Sequence, residues 1–133
     1  FMRDRHENVF QRILPALRSG RSVILDRYFY STACYQGARG LDMEEILKEN
    51  RLFAPEADLM ILVDVVDVET ALERIRAGRD STAPLFETRH FLEQVRANYL
   101  KLTGSHIQVV DGTGDRETVY KAVYDLVMRT IPV

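Results

Sequence analysis

Asp26 and Arg27 stand directly after a short apolar run, Val23-Ile24-Leu25, and are the first neighbours in the chain whose side chains combine into chemistry. A guanidinium offers a rigid fork of donors that matches phosphate oxygens, and a carboxylate beside it can accept a proton or orient Mg2+ through the ion's water shell. Taken alone the dipeptide reads more readily as a structural ion pair, so its surroundings decide. A second basic group, Arg74, Arg76 and Arg79, leads into a polar stretch from Gly78 to Pro84 and by itself reads as a solvated face. Cys34 has no evident activating base and reads as a packed thiol, while His6, His90 and His106 lack the spacing of metal ligands.

The elements that must hold these residues alternate in type. Val9, Phe10, Ile13, Leu14 and Leu17 fall on one helical face that stops at Ser19-Gly20, a C-cap. Ser22-Val23-Ile24-Leu25 is expected as a short buried strand that delivers Asp26. Tyr28 to Gly37 mixes aromatic and small residues: Tyr28, Tyr30 and Tyr35 can all be core, and Ser31 can be a helix N-cap. Gly37 to Gly40 is a loop, and Asp42 with Glu45 three residues on opens a helix through Ile46 and Leu47. Leu59-Met60-Ile61-Leu62-Val63 is a continuous apolar strand ending at Asp64, as expected of a parallel strand covered on both faces. Asp67 caps a helix carrying Val68, Ala71, Leu72 and Ile75; Leu92, Val95, Tyr99 and Leu102 mark the next. Ile107 to Asp111 is a further strand, Gly112-Thr113-Gly114 a turn, and Val119, Val123, Leu126 and Val127 the face of a closing helix. Helices between strands imply an α/β fold with a parallel sheet, whose binding sites lie beyond the carboxyl ends of the strands. That places Asp26 and Arg27 where a ligand would sit.

With 133 residues and 15.4 kDa the chain is the size of one domain, and no repeat, linker or composition break divides residues 1–133. Eighteen Lys and Arg against twenty Asp and Glu leave a net charge of -2, without the basic excess that nucleic acid or an anionic membrane demands. One cysteine makes an internal disulfide impossible, and no apolar run is long enough for a bilayer; the expected location is the cytoplasm.

The longer string Asp26-Arg27-Tyr28-x-x-Ser31-Thr32-x-x-Tyr35-Gln36-Gly37-x-x-Gly40 resembles the signature of the thymidylate kinase (dTMP kinase) family. These are P-loop nucleoside monophosphate kinases, which transfer the γ-phosphate of ATP to dTMP. Upstream, Phe1-x-x-x-Arg5 is similar to the family's pyrimidine-binding pair, set one helical turn apart. Downstream, Pro55-x-x-Asp58-Leu59, Glu69-x-Ala71-Leu72-x-Arg74, Phe91-Leu92-x-x-Val95-Arg96-x-x-Tyr99-Leu100 and Val109-Val110-Asp111-Gly112 continue the likeness.

The resemblance implies a P-loop NTPase-like three-layer α/β fold and a substrate site divided by role. Phe1 stacks on thymine, Arg5 donates to its O4 carbonyl, and Thr32 and Gln36 lie near base or sugar. Tyr35 crowds the place of a 2′-hydroxyl, Arg27 holds the acceptor phosphate, and Asp26 organises Mg2+ through water rather than as a direct ligand. Arg74, Arg76 and Arg79 belong to a lid, Arg74 through Glu87, that closes over the donor phosphates. Here Pro84-Leu85-Phe86-Glu87 replaces the family's Asp-Arg-x-Glu, so the lid arginine of that motif is missing. ATP with Mg2+, dTMP, and a second copy of the chain in a homodimer are the implied partners. No Gly-x-x-x-x-Gly-Lys-Ser/Thr occurs in the sequence. The expectation is a chain beginning after the P-loop strand and helix of a longer kinase, inactive by itself; the alternatives are a kinase for another deoxynucleoside or its monophosphate, and a noncatalytic nucleotide-binding domain.

Overall fold

The computed structural model describes residues 2–78 and 89–131 and divides into two units, residues 1–56 and 57–133, each with its own core. Phe1, Arg79 and the Pro84-Leu85 substitution lie outside the described residues.

In the first unit, helix α1 (Met2–Asn8) runs through a π-helical turn (Val9–Ile13) into α2 (Leu14–Arg18). Pro15 accounts for the wider turn: it has no N–H for a bond to residue 11, and its ring would press on that carbonyl in an α-helix. Widening is visible in the Leu14 amide, which donates to the Val9 carbonyl, five residues back. Val9 and Ile13 are buried from this segment, whereas Phe10 and Leu17, expected on the same inward face, are 47% and 40% exposed. The helix ends at Ser19-Gly20 as its sequence indicates. Gly20 takes φ 75° and donates to Leu17 O, and Arg21 N donates to Ala16 O, the paired bonds of a Schellman motif.

Residues 22–25 do not form the expected strand. They have no ladder partner among the described residues, and Ile24 is 91% exposed. A lone apolar run has neither hydrogen-bond partners nor a face to bury against, so its β-propensity is not enough. The chain bends at Asp26-Arg27 and enters α3 (Phe29–Gly37) with Tyr28 at the N-cap, one turn earlier than a Ser31 cap would give. α4 (Met43–Arg51) opens as its sequence indicates, the Asp42 carboxylate accepting from Glu44 N at 2.9 Å and Glu45 N at 3.1 Å. α3 packs on α4, and Phe29, Tyr30, Ala33, Cys34 and Leu47 are buried.

The second unit holds two parallel strands, β1 (Met60–Asp64) and β2 (Ile107–Asp111), in register from Met60↔Ile107 to Asp64↔Asp111. Between them come α5 (Val68–Gly78), capped by Asp67, and α6 (Arg89–Lys101); α7 (Arg116–Thr130) follows, capped by Asp115. β1 is not covered on both faces among the described residues, because its Val63 is about half exposed, as is Val109 of β2. Gly112 ends β2 by donating to Asp64 O at 2.7 Å, so close that an added Cβ would lie 2.7 Å from Val63 Cγ1. Only glycine allows that approach.

Candidate active site

The residues with chemical promise in the first unit surround one cavity of about 590 Å³, within the usual range of a small-molecule site. α1 supplies Asp4, Arg5 and Asn8, the 25–28 segment Leu25, Arg27 and Tyr28, and α3 Ser31, Thr32, Tyr35 and Gln36, with Arg39 just beyond. Arg5, Arg27, Thr32, Tyr35 and Gln36 thus converge from three stretches of chain. Asp26 is exposed in the bend and does not line the cavity.

Arg5 is held at two points. Its Nη1 donates to Asn50 Oδ1 and its Nη2 to Thr32 Oγ1, both at 2.6 Å. Partial burial lowers its pKa from the ordinary arginine value, opposed by the nearby Tyr28 hydroxyl, but a guanidinium so placed remains cationic at neutral pH. Asn50 is fully buried in α4 and donates from Nδ2 to Ile46 O at 2.7 Å. That bond fixes which end of the amide faces Arg5.

Arg27 has φ 67°, the left-handed region that side chains with a Cβ rarely occupy. This aims the guanidinium back over α3, with Cζ 5.2 Å from the centre of the Tyr35 ring and Nη2 3.5 Å from its hydroxyl. The backbone strain lies at the position that the sequence marks as chemically promising, and strain of this kind is common in binding sites. Tyr28 OH is buried without a hydrogen-bond partner among the described residues, and burial raises its pKa, partly offset by Arg5. Beneath the cavity, Cys34 is packed as expected, its thiol pushed up to about 12 by burial.

The second basic group is differently engaged. Arg74 donates from Nη1 to Gly112 O at 2.8 Å and from Nη2 to Thr113 O at 3.3 Å, holding the turn after β2. Arg76 pairs with Glu69 at 3.6 Å. Beyond β1, the Asp64 carboxylate is gripped by Arg96 of α6 through two bonds of 2.7 and 2.8 Å. Among the described residues no group of three or more His, Cys, Asp or Glu could hold a metal, and no helix is long and apolar enough to cross a membrane.

Asn50, Asp4, Asn8 and Arg39 do not stand out in the sequence. Asn50 carries one signal there: it stands three residues after Leu47, a polar residue on the buried stripe of an amphipathic helix. Asp4 and Asn8 lie one turn apart beside Arg5, but that spacing is equally that of a solvated face.

Comparison with known proteins points the same way as the string around Arg27. The thymidylate kinase family model matches residues 1–123. A thymidylate kinase of Xanthomonas euvesicatoria is 42% identical over 132 residues, covering 98% of this chain and 56% of that protein. A thymidylate kinase of Xylella fastidiosa is also 42% identical, covering 99% of the chain and 62% of its own length. A probable thymidylate kinase of Archaeoglobus fulgidus is 42% identical over 123 residues, covering 92% and 61% respectively. The chain therefore spans little more than half the length of the relatives it matches. With the family model running through both units and relatives from bacteria and an archaeon aligned along nearly all of it, the chain belongs to the thymidylate kinase family, whose P-loop NTPase fold accounts for its mixed α/β build and parallel strands.

Proposed function

We propose that the protein carrying this chain phosphorylates dTMP with ATP to give dTDP, and that the cavity of the first unit receives dTMP. The observation that carries the reading is the charge around that cavity: Arg5, Arg27 and Arg39 face it against the single carboxylate Asp4. Such a lining favours an anion of nucleotide size, and the arginines divide the work. Arg5 is a pure donor suited to the O4 carbonyl of thymine, and Arg27, at the bend before α3, meets the phosphate. Phe1 stacks on the base, Thr32 and Gln36 border base or sugar, and Tyr35 blocks a 2′-hydroxyl.

Phosphoryl transfer requires in-line placement and cations around the moving charge more than covalent help. The acceptor oxygen of dTMP is already largely anionic at neutral pH, so no strong base is needed, and Arg27 offsets its repulsion from ATP. Mg2+ would supply further charge neutralisation when bound with ATP, and the exposed carboxylate of Asp26 could accept hydrogen bonds from the ion's water shell. Arg74, Arg76 and Arg79 serve the donor phosphates, with Arg74 and Arg76 first leaving their present partners. The same reading places the protein in the cytoplasm as a homodimer, supported by the outward Phe10 and Leu17. The test is ATP-dependent conversion of dTMP to dTDP by the full-length protein, with dCMP, dUMP and thymidine as competitors. A folded protein that turns over none of them, or prefers another acceptor, refutes the proposal.

A further inference from the structure

We propose that Asn50 is the positioning residue for base recognition, holding the Arg5 guanidinium at the angle from which it selects a pyrimidine carbonyl. This rests on the reading that Arg5 meets the thymine base. Asn50 lies 45 residues from Arg5 in sequence, on a different helix, and does not line the cavity. Its side chain is nevertheless fully buried, and both ends of the amide are used: Nδ2 on Ile46 O, Oδ1 on Arg5 Nη1. With Nδ2 committed to a carbonyl of its own helix, the amide cannot rotate to present a donor to Arg5. Thr32 Oγ1 takes the other terminal nitrogen, so the planar guanidinium is pinned at two points and its rotation about the Cδ–Nε bond is stopped.

The choice of an amide matters as much as its place. A buried aspartate there would fix the guanidinium equally well but would neutralise it. Asn50 and Thr32 are neutral acceptors, so Arg5 keeps its full positive charge, and its remaining N–H donors are left for a carbonyl oxygen. An arginine held this way donates to the O4 of thymine or uracil and rejects the amino group of cytosine, which would set donor against donor. An arginine released to swing about its long side chain could turn away from that clash, and the discrimination would fade.

The test uses the full-length protein with Asn50→Leu, which keeps the branched shape at a somewhat larger volume and removes both hydrogen bonds, and Asn50→Ser should the leucine variant fail to fold. The expected result is a rise in KM for dTMP of about tenfold, the scale of one hydrogen bond to a charged group, with a far smaller change in kcat. Preference for dTMP over dCMP should fall by about the same factor, whereas preference for dTMP over dUMP, which share O4 and differ by a methyl group, should hold. Equal losses on all three nucleotides overturn the inference, because they mark general loosening of the fold. Nitrogen-15 spectra of the arginine side chains give a readout independent of turnover. Separate, slowly exchanging Arg5 Nη signals are expected in the native protein, averaged ones in Asn50→Leu, and separate ones again in Asn50→Asp, which retains an acceptor. Signals that stay separate in Asn50→Leu overturn the positioning role, and a native protein with no dTMP turnover overturns the function while these spectra still decide the role of Asn50.

Discussion

Replacing Arg27 by glycine should make the protein slightly more stable and nearly inactive, and the structure sets the size of both effects. With φ 67°, Arg27 bears the steric penalty of a Cβ in the left-handed region, about 1 to 2 kcal/mol, which glycine does not incur. Against that gain stands the lost contact with the Tyr35 ring, 5.2 Å from Cζ and open to solvent, worth about 0.5 to 1 kcal/mol. Arg27→Gly should therefore lie between neutral and about 1.5 kcal/mol more stable than the native protein. Arg27→Ala keeps the strain and loses the contact, so it should be about 0.5 to 1 kcal/mol less stable. Glycine thus outranks alanine here by about 1 to 2 kcal/mol, the reverse of their usual order in helices and strands. Both variants should lose about 2 to 4 kcal/mol of transition-state stabilisation, or about 30- to 1000-fold in kcat/KM for dTMP. Urea unfolding of the three proteins and a coupled assay for ADP release measure the two effects separately. An alanine variant as stable as the glycine variant would refute the strain argument, and near-native activity in either would remove Arg27 from the phosphate site.

Arg96→Met strands the Asp64 carboxylate, which is only 8% exposed, and should destabilise the second unit by about 2 kcal/mol, less than a fully buried pair because Arg96 itself is a third exposed. The double variant with Asp64→Asn should recover part of this in urea unfolding, and an Arg96→Met protein as stable as wild type refutes the clasp. Gly112→Ala sets a Cβ 2.7 Å from Val63 Cγ1 and 3.2 Å from Asp64 O, so a loss of about 1 to 3 kcal/mol is expected in the same measurement. Native Cys34 should resist thiol reagents at neutral pH and react on unfolding. Because its pKa is raised to about 12 in the fold from the ordinary value of 9.0, its neutral form adds stability that is complete below pH 9.0 and is lost as pH climbs toward 12. Cys34→Ala should flatten that alkaline fall; rapid labelling of the native thiol contradicts its burial.

Sequence signals are legible wherever local physics decides. Asp42 and Asp67 stand where a carboxylate can take orphan amides of a helix, and both do so; Asp115 does not stand out in the sequence but does the same for α7. The two apolar runs at Met60 and Ile107 pair in parallel as alternation with helices implies. Ser22 to Leu25 has the same composition but no partner strand among the described residues, and strand formation is a property of pairs. Asn50 is hidden in the sequence because its importance comes from Arg5 on another helix, a contact that no periodicity encodes. The left-handed twist at Arg27 is equally hidden, since glycine rather than arginine advertises such a conformation. Arg74 illustrates the opposite limit: residue type suggests phosphate, but two carbonyls of a nearby turn match a guanidinium just as well.

The π-helical turn at Val9–Ile13 bears on how Arg5 is aimed. Each residue of an α-helix turns the chain by about 100°, so a wider turn acts as a one-residue phase shift between the helix on its N-terminal side and the helix on its C-terminal side. α2 can keep its own orientation while α1 is rotated to bring Arg5 under Thr32 and Asn50. Removing one residue from the turn would rotate α1 against α2 by about a quarter-turn and point Arg5 away from both anchors. The aim of Arg5 is thereby tied to the winding number of a helix, and under the proposed function a deletion that removes none of the named site residues should abolish base selectivity.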